Sequence, residues 1–168
     1  MRTLHLLRHA KSSWDDESLD DFDRPLNDRG RRACEALSTY FADEAIVPDL
    51  ILCSSARRTR ETLAGVETAL GGPPAEFPDE LYGAGAETIS ALIAALPDHV
   101  ATAMVIGHNP GIEEAALSLA GSGADLKTLR AKYPTGALAT IEFEVEIWSE
   151  VAPSSGTLTS FAKPRQLG

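Results

Sequence analysis

Short apolar runs alternate along the chain with segments whose apolar residues recur at helical spacing. Residues 3–7, 50–53 and 101–106 are apolar at most positions, and these runs predict three buried strands. Parallel strands have this composition when helices cover both of their faces, because neither face then meets water. The alternation of such strands with helical segments predicts an α/β fold.

Three helices are predicted between or beside these strands. The first begins after Asn27, a residue type that caps helix N-termini well, and carries an apolar stripe at positions 33, 37, 40 and 41. The second follows Ser54 and Ser55 and ends at the Gly-Gly-Pro-Pro run of residues 71–74. The third has apolar residues at positions 89, 92, 93 and 96 and stops at Pro97.

A fourth helix and a hairpin are predicted after the third strand. The helix has Asn109 as its cap and Pro110 at its first helical position, and it runs to about residue 121. Residues 136–145 alternate between apolar and polar, which predicts a strand with one face buried. We expect this strand to pair with residues 156–161 as a hairpin at the edge of the sheet.

The length and composition predict one globular domain spanning residues 1–168. The chain has 168 residues, of which 43% are hydrophobic and 24% charged, close to the average of soluble domains with a sizeable core. No stretch approaches the roughly 18 apolar residues that a membrane span needs, and the first residues lack the apolar run of a signal peptide. A cytoplasmic location is therefore expected.

The net charge of −10 bears on the partners that the chain can bind. An acidic surface repels the phosphates of nucleic acids and anionic lipids, so neither nucleic acid nor membrane is an expected partner. A small anionic substrate remains compatible with this charge where arginines cluster in one cleft. Cys34 and Cys53 form no CxxC pattern, so no disulfide framework or cysteine zinc site is predicted.

Histidines and arginines follow all three predicted strands. Ligands of parallel sheets bind where the carboxyl ends of the strands meet, so these residues are expected to lie together. They are Arg8 and His9 after the first strand, Arg57 and Arg58 after the second, and His108 after the third. Such a concentration of basic groups on an acidic protein predicts an anion site.

Phosphate is the anion that this site fits best, because guanidinium groups match a phosphoryl group and helix N-termini add N–H donors. A Walker loop, a dinucleotide fingerprint and a Gly-x-Ser-x-Gly elbow are all absent from the sequence. A histidine is then the best nucleophile, and neighbouring guanidinium groups favour its neutral form. It would form a phosphohistidine intermediate and pass the phosphoryl group to water.

No metal or other cofactor is predicted for this chemistry. His5 and His9 would share one face of a helix, but in a strand they lie about 13 Å apart, too far to hold one zinc ion.

Several motifs resemble those of the histidine phosphatase superfamily, also called the phosphoglycerate mutase-like family, and most closely its SixA-type phosphohistidine phosphatase branch. The similarity covers nearly the whole chain and follows the family's order of motifs. These motifs are Leu6-Leu7-Arg8-His9-Ala10-Lys11, Asp23-Arg24-Pro25-Leu26 with Arg29-Gly30, Ser54-Ser55-Ala56-Arg57-Arg58-Thr59-Arg60-Glu61-Thr62, Gly107-His108-Asn109-Pro110 and Tyr133-Pro134-Thr135-Gly136-Ala137-Leu138.

The resemblance implies a three-layer α/β/α sandwich with a mostly parallel sheet, and it assigns roles to particular residues. His9 would be the phosphorylated nucleophile, and Arg8 a phosphate clamp. Counting back from Thr62 places the second clamp at Arg58, with Arg57 on another face. His108 would contact the phosphoryl group. The residues that the resemblance assigns to catalysis or substrate binding are thus Arg8, His9, Ser54, Arg58, His108 and Asn109.

The sequence departs from the family's pattern in two places: the first bears on the loop after His9 and the second on the substrate. Ala10 stands where the family has glycine, and the general acid of ester-cleaving members has only Asp79 or Glu80 as loose counterparts. An imidazole leaves from phosphorus more readily than an alkoxide, so an enzyme without this acid suits phosphohistidine on proteins.

Two alternatives stay open at this point. The first is a broad phosphatase of small phosphomonoesters that uses Asp79 or Glu80 as its acid. The second is a non-catalytic module that binds phosphate or a phosphoprotein. The acidic run of residues 15–23 is interpreted as a solvated loop, with partner recognition as the less favoured role.

Overall fold

The structure, a computed structural model, describes residues 1–167. Over this range a seven-stranded sheet is surrounded by helices, so the predicted α/β class is confirmed. The strands are β1 (Arg2–Arg8), β2 (Leu50–Cys53), β3 (Ala75–Glu76), β4 (Thr102–Gly107), β5 (Ala120–Ser122), β6 (Leu138–Phe143) and β7 (Gly156–Ala162). The helices are α1 (Asp28–Asp43), α2 (Arg57–Val66), α3 (Ala86–Ala94), α4 (Gly111–Leu119), α5 (Leu126–Ala131) and α6 (Pro164–Leu167).

The sheet has β1 in its middle, in the order β3-β2-β4-β1-β6-β7-β5. The strands β1, β4, β2 and β3 run parallel, whereas β6 runs antiparallel to both β1 and β7. Arg8 lies opposite Gly107, and Cys53 lies opposite Ile106. The carboxyl ends of β1, β2 and β4 therefore reach the same edge of the sheet, as the sequence predicted.

Side chains that alternate along β1 divide the core into two layers. Leu4 and Leu6 are buried against residues of α3, α4 and α5 on one face of the sheet. Leu7 is buried on the other face with Leu37 and Phe41 of α1. Because successive strand residues point to opposite faces, one strand supplies both cores, and the result is the three-layer α/β/α arrangement.

Several element boundaries differ from the sequence predictions. The helix predicted to reach residue 71 ends at Val66, and the helix predicted to reach about residue 121 ends at Leu119. Its start also differs, because Pro110 occupies the N-cap position and helical geometry begins at Gly111. Asn109 still supplies a capping bond, since its side-chain oxygen accepts from the backbone N–H of Glu113 at 3.2 Å.

The prediction of a hairpin at the edge of the sheet is correct in its pairing and wrong in its place. β6 and β7 pair antiparallel, but β5 pairs parallel to β7 and occupies that edge. Residues 120 and 121, predicted as the end of the fourth helix, belong to this short strand instead. No helix within residues 1–167 is long and apolar enough to cross a membrane.

Burial of His5 predicts that the protein loses stability in mild acid. Its Nδ1 lies 2.9 Å from the Thr140 hydroxyl, and burial lowers the pKa of His5 from 6.5 to about 4. The unfolded chain therefore binds the proton first, and stability falls as the pH drops from about 6.5 towards 4. For this residue we expect a loss of about 2 kcal/mol at a pH of about 5.

Urea unfolding at several pH values measures this loss. His5→Gln should have a shallower dependence of the unfolding free energy on pH than the wild type, because glutamine does not titrate. His99→Gln is the matched control, since His99 is exposed. Equal pH dependence in wild type and His5→Gln would contradict the prediction.

Candidate active site

Two neighbouring strand ends bring two histidines into contact at one edge of the sheet. Arg8 and His9 are at the end of β1, and His108 directly follows β4. The ring centroids of His9 and His108 are 5.3 Å apart. Arg58, in the first turn of α2, lies close enough for its charge to lower the pKa of both rings.

His9 is buried with only 7% of its surface exposed, and its orientation is fixed by one hydrogen bond. Its Nδ1 lies 2.7 Å from the carbonyl oxygen of Ala10. A carbonyl only accepts, so Nδ1 carries the proton and Nε2 of the neutral ring keeps its lone pair. The ring is therefore held in the tautomer that a nucleophile at Nε2 requires.

The neutral form of His9 is favoured mainly by burial. The pKa of His9 is lowered to about 3, mainly by burial and to a lesser extent by the nearby His108, Arg58 and Arg8. The sequence analysis attributed this effect to the guanidinium groups, which have the correct sign but the smaller influence.

Ala10 fits the site without the backbone conformation that only glycine adopts easily. Within residues 1–167, positive φ angles of non-glycine residues occur at Ala45 and Ser154 and not at Ala10. The Ala10 methyl group is buried, and its N–H donates to Thr62 Oγ1 at 3.0 Å. The departure from the family's Arg-His-Gly thus leaves the loop intact.

Residues 133–138 hold Arg8 in place from the other side of the site. Arg8 donates to the carbonyl oxygen of Tyr133 at 2.9 Å, and Asn109 donates to the same oxygen at 3.1 Å. The N–H of Gly136 lies within 3.0 Å of the carbonyl oxygens of Arg8 and His9. Gly136 has a φ of +76°, and a Cβ there would approach Pro164 to 2.7 Å, so glycine is needed at this position.

Arg58 is bound by Asp21, a residue that the sequence analysis did not assign to the site. Arg58 donates to the backbone oxygen of Asp21 at 2.7 Å and to its carboxylate at 3.0 Å. Asp21 also accepts from Arg24 at 2.8 Å and from the hydroxyl of Tyr82 at 2.6 Å. Its membership of the acidic run of residues 15–23 was the one sequence signal, and it did not single out Asp21. Arg57 instead pairs with Glu61 on the surface at 2.8 Å.

Ser54 lies behind His108 and determines which of its nitrogens carries the proton. Ser54 is fully buried, and its Oγ lies 2.7 Å from Nε2 of His108 and 3.4 Å from the N–H of Ala56. The Ala56 N–H only donates, so the Ser54 hydroxyl has an acceptor only if it donates to Nε2. Neutral His108 then carries its proton on Nδ1, and burial lowers its pKa to about 4.

Two buried polar atoms at the site have no hydrogen-bond partner within residues 1–167. They are Nε of Arg8 and Nδ1 of His108. Both are N–H donors, and such atoms are rarely left unsatisfied in folded proteins. They lie on neighbouring strand ends beside His9, so one bound anion is the natural acceptor for a site of this composition.

The two candidates for a general acid lie on a short 3₁₀ turn at the rim. Asp79 and Glu80 are both exposed, and the residue that this turn sends into the site is Tyr82, whose ring centroid is 5.6 Å from that of His108. Within residues 1–167, no group of three or more His, Cys, Asp or Glu side chains is arranged to hold a metal ion.

Comparison with known proteins shows the family to which the chain belongs. Residues 4–83 match the model of the histidine phosphatase superfamily, branch 1. The chain is 34% identical over 165 residues to an uncharacterized protein of Mycobacterium tuberculosis, a match that covers 95% of this chain and 100% of that protein.

Solved structures place the chain within the superfamily. A candidate phosphohistidine phosphatase SixA from Agrobacterium tumefaciens is 34% identical, with a TM-score of 0.83 over 97% of this chain and 98% of that one. A second from Nakamurella multipartitia is 32% identical, with a TM-score of 0.84 over 97% of this chain and 96% of that one. The chain belongs to the histidine phosphatase superfamily, in its SixA-type branch. A protein histidine phosphatase SixA complexed with tungstate shares the fold at 23% identity, with a TM-score of 0.81 and 99% of each chain covered.

The hydrogen bond between Ser54 and His108 predicts a change of tautomer in Ser54→Ala. Without the hydroxyl, nothing on the serine side favours an unprotonated Nε2, and His108 should shift from the Nδ1–H form towards a mixture with the Nε2–H form. Nitrogen-15 chemical shifts of the imidazole at neutral pH measure the two forms.

Ser55→Ala is the matched control, because Ser55 is the neighbouring serine and contacts its surroundings through its backbone carbonyl. It should leave the His108 signals unchanged. A His108 ring that stays in one form in both variants would show that Ser54 does not set the tautomer.

Proposed function

We propose that the protein is a metal-independent phosphatase that works through a covalent phosphohistidine at His9 and acts on phosphohistidine in proteins. Membership of the superfamily supports the phosphatase chemistry. The observation that carries the proposal is the buried His9 ring, whose Nδ1 is bound to Ala10 and whose Nε2 is free beside Arg8, Arg58 and His108.

In the first step, Nε2 of His9 attacks phosphorus and the bond to the leaving group breaks. Arg8 and Arg58 offset the charge on the phosphoryl oxygens, and the proton on Nδ1 of His108 donates a further hydrogen bond. The phosphoryl group thereby satisfies the unpartnered donors of Arg8 and His108. Stabilisation of this kind is the main contribution that a protein makes to phosphoryl transfer.

In the second step, water attacks phosphorus and His9 leaves as the neutral ring. The bond from Nδ1 to the Ala10 carbonyl persists throughout, so the ring is in position for both steps. Because the surroundings of His9 disfavour its charged form, the phosphorylated ring is a good leaving group.

The substrate class follows from the leaving group that the site can serve. An alkoxide needs a proton from a positioned acid, and within residues 1–167 neither of the exposed Asp79 and Glu80 side chains is hydrogen-bonded to His9, His108 or Arg58. An imidazole leaves from a P–N bond without such an acid. Tyr82 and Asp21 border the site with exposed side chains, which leaves room for a protein-bound imidazole.

Substitution of His9 tests the covalent step. Wild-type protein should release phosphate from a phosphohistidine peptide, and His9→Ala should lower kcat by about a thousandfold or more, because the nucleophile is lost. Rapid quenching with a radiolabelled peptide should trap an acid-labile, base-stable phosphoryl group on the wild type. The label should be missing from His9→Ala.

His99→Ala is the matched control for the loss of a histidine at an exposed position. A wild type that turns over a sugar phosphate faster than the peptide would contradict the phosphohistidine preference. A wild type that binds phosphopeptide without acquiring label would indicate a binding module in place of an enzyme.

The rim carboxylates are predicted to have no role as acids. Asp79→Asn and Glu80→Gln should each change kcat for p-nitrophenyl phosphate and for a sugar phosphate by less than about twofold, as expected of exposed side chains outside the reacting cluster. A selective loss on the sugar phosphate, whose leaving group needs a proton, would instead identify the substituted residue as a general acid.

A further inference from the structure

The carboxylate of Asp21 binds Arg58 and can still accept a further hydrogen bond. We propose that Asp21 accepts a hydrogen bond from the departing imidazole of phosphohistidine and thereby makes the site selective for P–N over P–O bonds. This inference rests on the proposed function, and it names the residue that makes the site selective for one class of leaving group.

The carboxylate is held rigidly and still has room for a further partner. One of its oxygens accepts from Arg24 at 2.8 Å, and the other accepts from Tyr82 at 2.6 Å and from Arg58 at 3.0 Å. A carboxylate offers about four lone-pair positions, so these three bonds leave capacity for a ligand. The Asp21 side chain is 48% exposed, which keeps that capacity within reach.

The position of Asp21 matches the path of the leaving group. His9 forms the buried floor of the site, whereas Asp21 and Tyr82 are exposed at its opening. In an in-line transfer, the leaving group departs on the side of phosphorus opposite the nucleophile. With His9 on the floor, that side is the opening, where the Asp21 carboxylate lies.

Tyr82 fixes this part of the opening. Its ring packs edge-on against Phe22 with centroids 5.1 Å apart and against His108 at 5.6 Å, and its hydroxyl donates to Asp21. The 3₁₀ turn Asp21–Asp23 is thereby joined to the residues that surround the phosphoryl group. The carboxylate has one defined position, as a specific recognition group needs.

The charged surroundings of Asp21 keep it ionised. The hydrogen bond from Tyr82 and the positive charges of Arg24 and Arg58 hold its pKa well below its usual range, while the nearby His108 is neutral. An ionised carboxylate has no proton to give an alkoxide. It accepts a hydrogen bond strongly, and most strongly from a cationic donor.

Phosphohistidine supplies such a donor. When the ring nitrogen that bears no phosphoryl group is protonated, the phosphoimidazole is a cation with an N–H that points away from phosphorus. Nε2 of His9 forms its bond to phosphorus, the P–N bond breaks, and its electron pair stays on the departing nitrogen. The imidazole leaves neutral and keeps the proton on its other nitrogen, which Asp21 has held by a hydrogen bond.

An ester gains nothing from the same carboxylate. Its leaving oxygen acquires negative charge, which an ionised Asp21 repels, and no proton is available to neutralise it. If Asp21 acted only by positioning Arg58, its loss would weaken the clamp on every phosphoryl group equally. The two roles therefore predict different effects of an Asp21 substitution: an equal loss of activity on both substrates, or a loss mainly on phosphohistidine.

The test compares Asp21→Asn with wild type on a phosphohistidine peptide and on p-nitrophenyl phosphate, whose leaving group needs no proton. We expect kcat/KM for the peptide to fall by about tenfold or more, as for loss of a charged hydrogen-bond partner. For the ester the fall should be smaller, because only the support of Arg58 is affected, so the ratio of peptide to ester kcat/KM should drop severalfold. Asp23→Asn is the control, since Asp23 is an exposed acid of the same turn.

Tyr82→Phe is a second variant that leaves the charge of Asp21 in place. It should lower kcat/KM for the peptide more than for the ester, because the carboxylate loses the hydroxyl that fixes it. Circular dichroism and a thermal midpoint near that of wild type establish that each variant is folded. If Asp21→Asn unfolds, the Tyr82→Phe comparison decides the question.

Equal losses on both substrates in either folded variant, or no loss on the peptide, would overturn the role of Asp21 while leaving the proposed function intact. A wild type that hydrolyses the ester and not the peptide would overturn the proposed function, and the role of Asp21 with it.

Discussion

The hydrogen bond from Nδ1 of His9 to the Ala10 carbonyl decides which ring nitrogen is left free at the site, and other contacts hold this arrangement in place. Thr62 accepts from the N–H of Ala10 and donates to the carbonyl of Arg58, at 3.0 and 2.8 Å. A single buried hydroxyl thus links the peptide that orients His9, the proposed nucleophile, to the helix turn that carries Arg58. The four-residue spacing of Arg58 and Thr62 has its physical reason in this bridge.

Burial and the neighbouring positive charges both disfavour the protonated form of the two histidines. For an anion they act in opposite directions, because burial disfavours it and positive charge attracts it. Burial lowers the pKa values of His9 and His108 to about 3 and 4, so both rings are neutral at the pH of the cell. Arg8 and Arg58 remain charged there, because guanidinium groups do not lose their proton under such conditions. A phosphoryl dianion therefore enters a site whose positive charge comes from arginine alone.

Parallel strand order explains why so much of the site could be predicted from the sequence. Residues that directly follow β1, β2 and β4 must meet at one edge of the sheet, so Arg8, His9 and His108 were placed by the strand pattern. Ser54 was assigned to the substrate on the family resemblance, and in the structure it is fully buried with its hydroxyl against Nε2 of His108. Strand patterns place a residue at an edge and do not determine where its side chain points.

Asp21 and the short strands were not predicted, for a related reason. Asp21 meets Arg58 across 37 residues of sequence, and Tyr82 across 61. No local periodicity encodes such contacts. β3 and β5 have two and three residues, too few for an apolar pattern, and exist because a neighbouring strand offers unpaired backbone groups.

The antiparallel strand β6 gives the site a component that a wholly parallel sheet would not supply. Because β6 runs against β1, it begins beside the end of β1, with Leu7 opposite Leu138. The segment that enters β6 therefore lies next to Arg8 and His9, where its backbone binds both residues. A parallel neighbour would end at this edge and send its chain away into a helix. The change of strand direction at β1 thus places this backbone against Arg8 and His9, while the side chain of Thr62 in α2 binds the N–H of Ala10, the next residue.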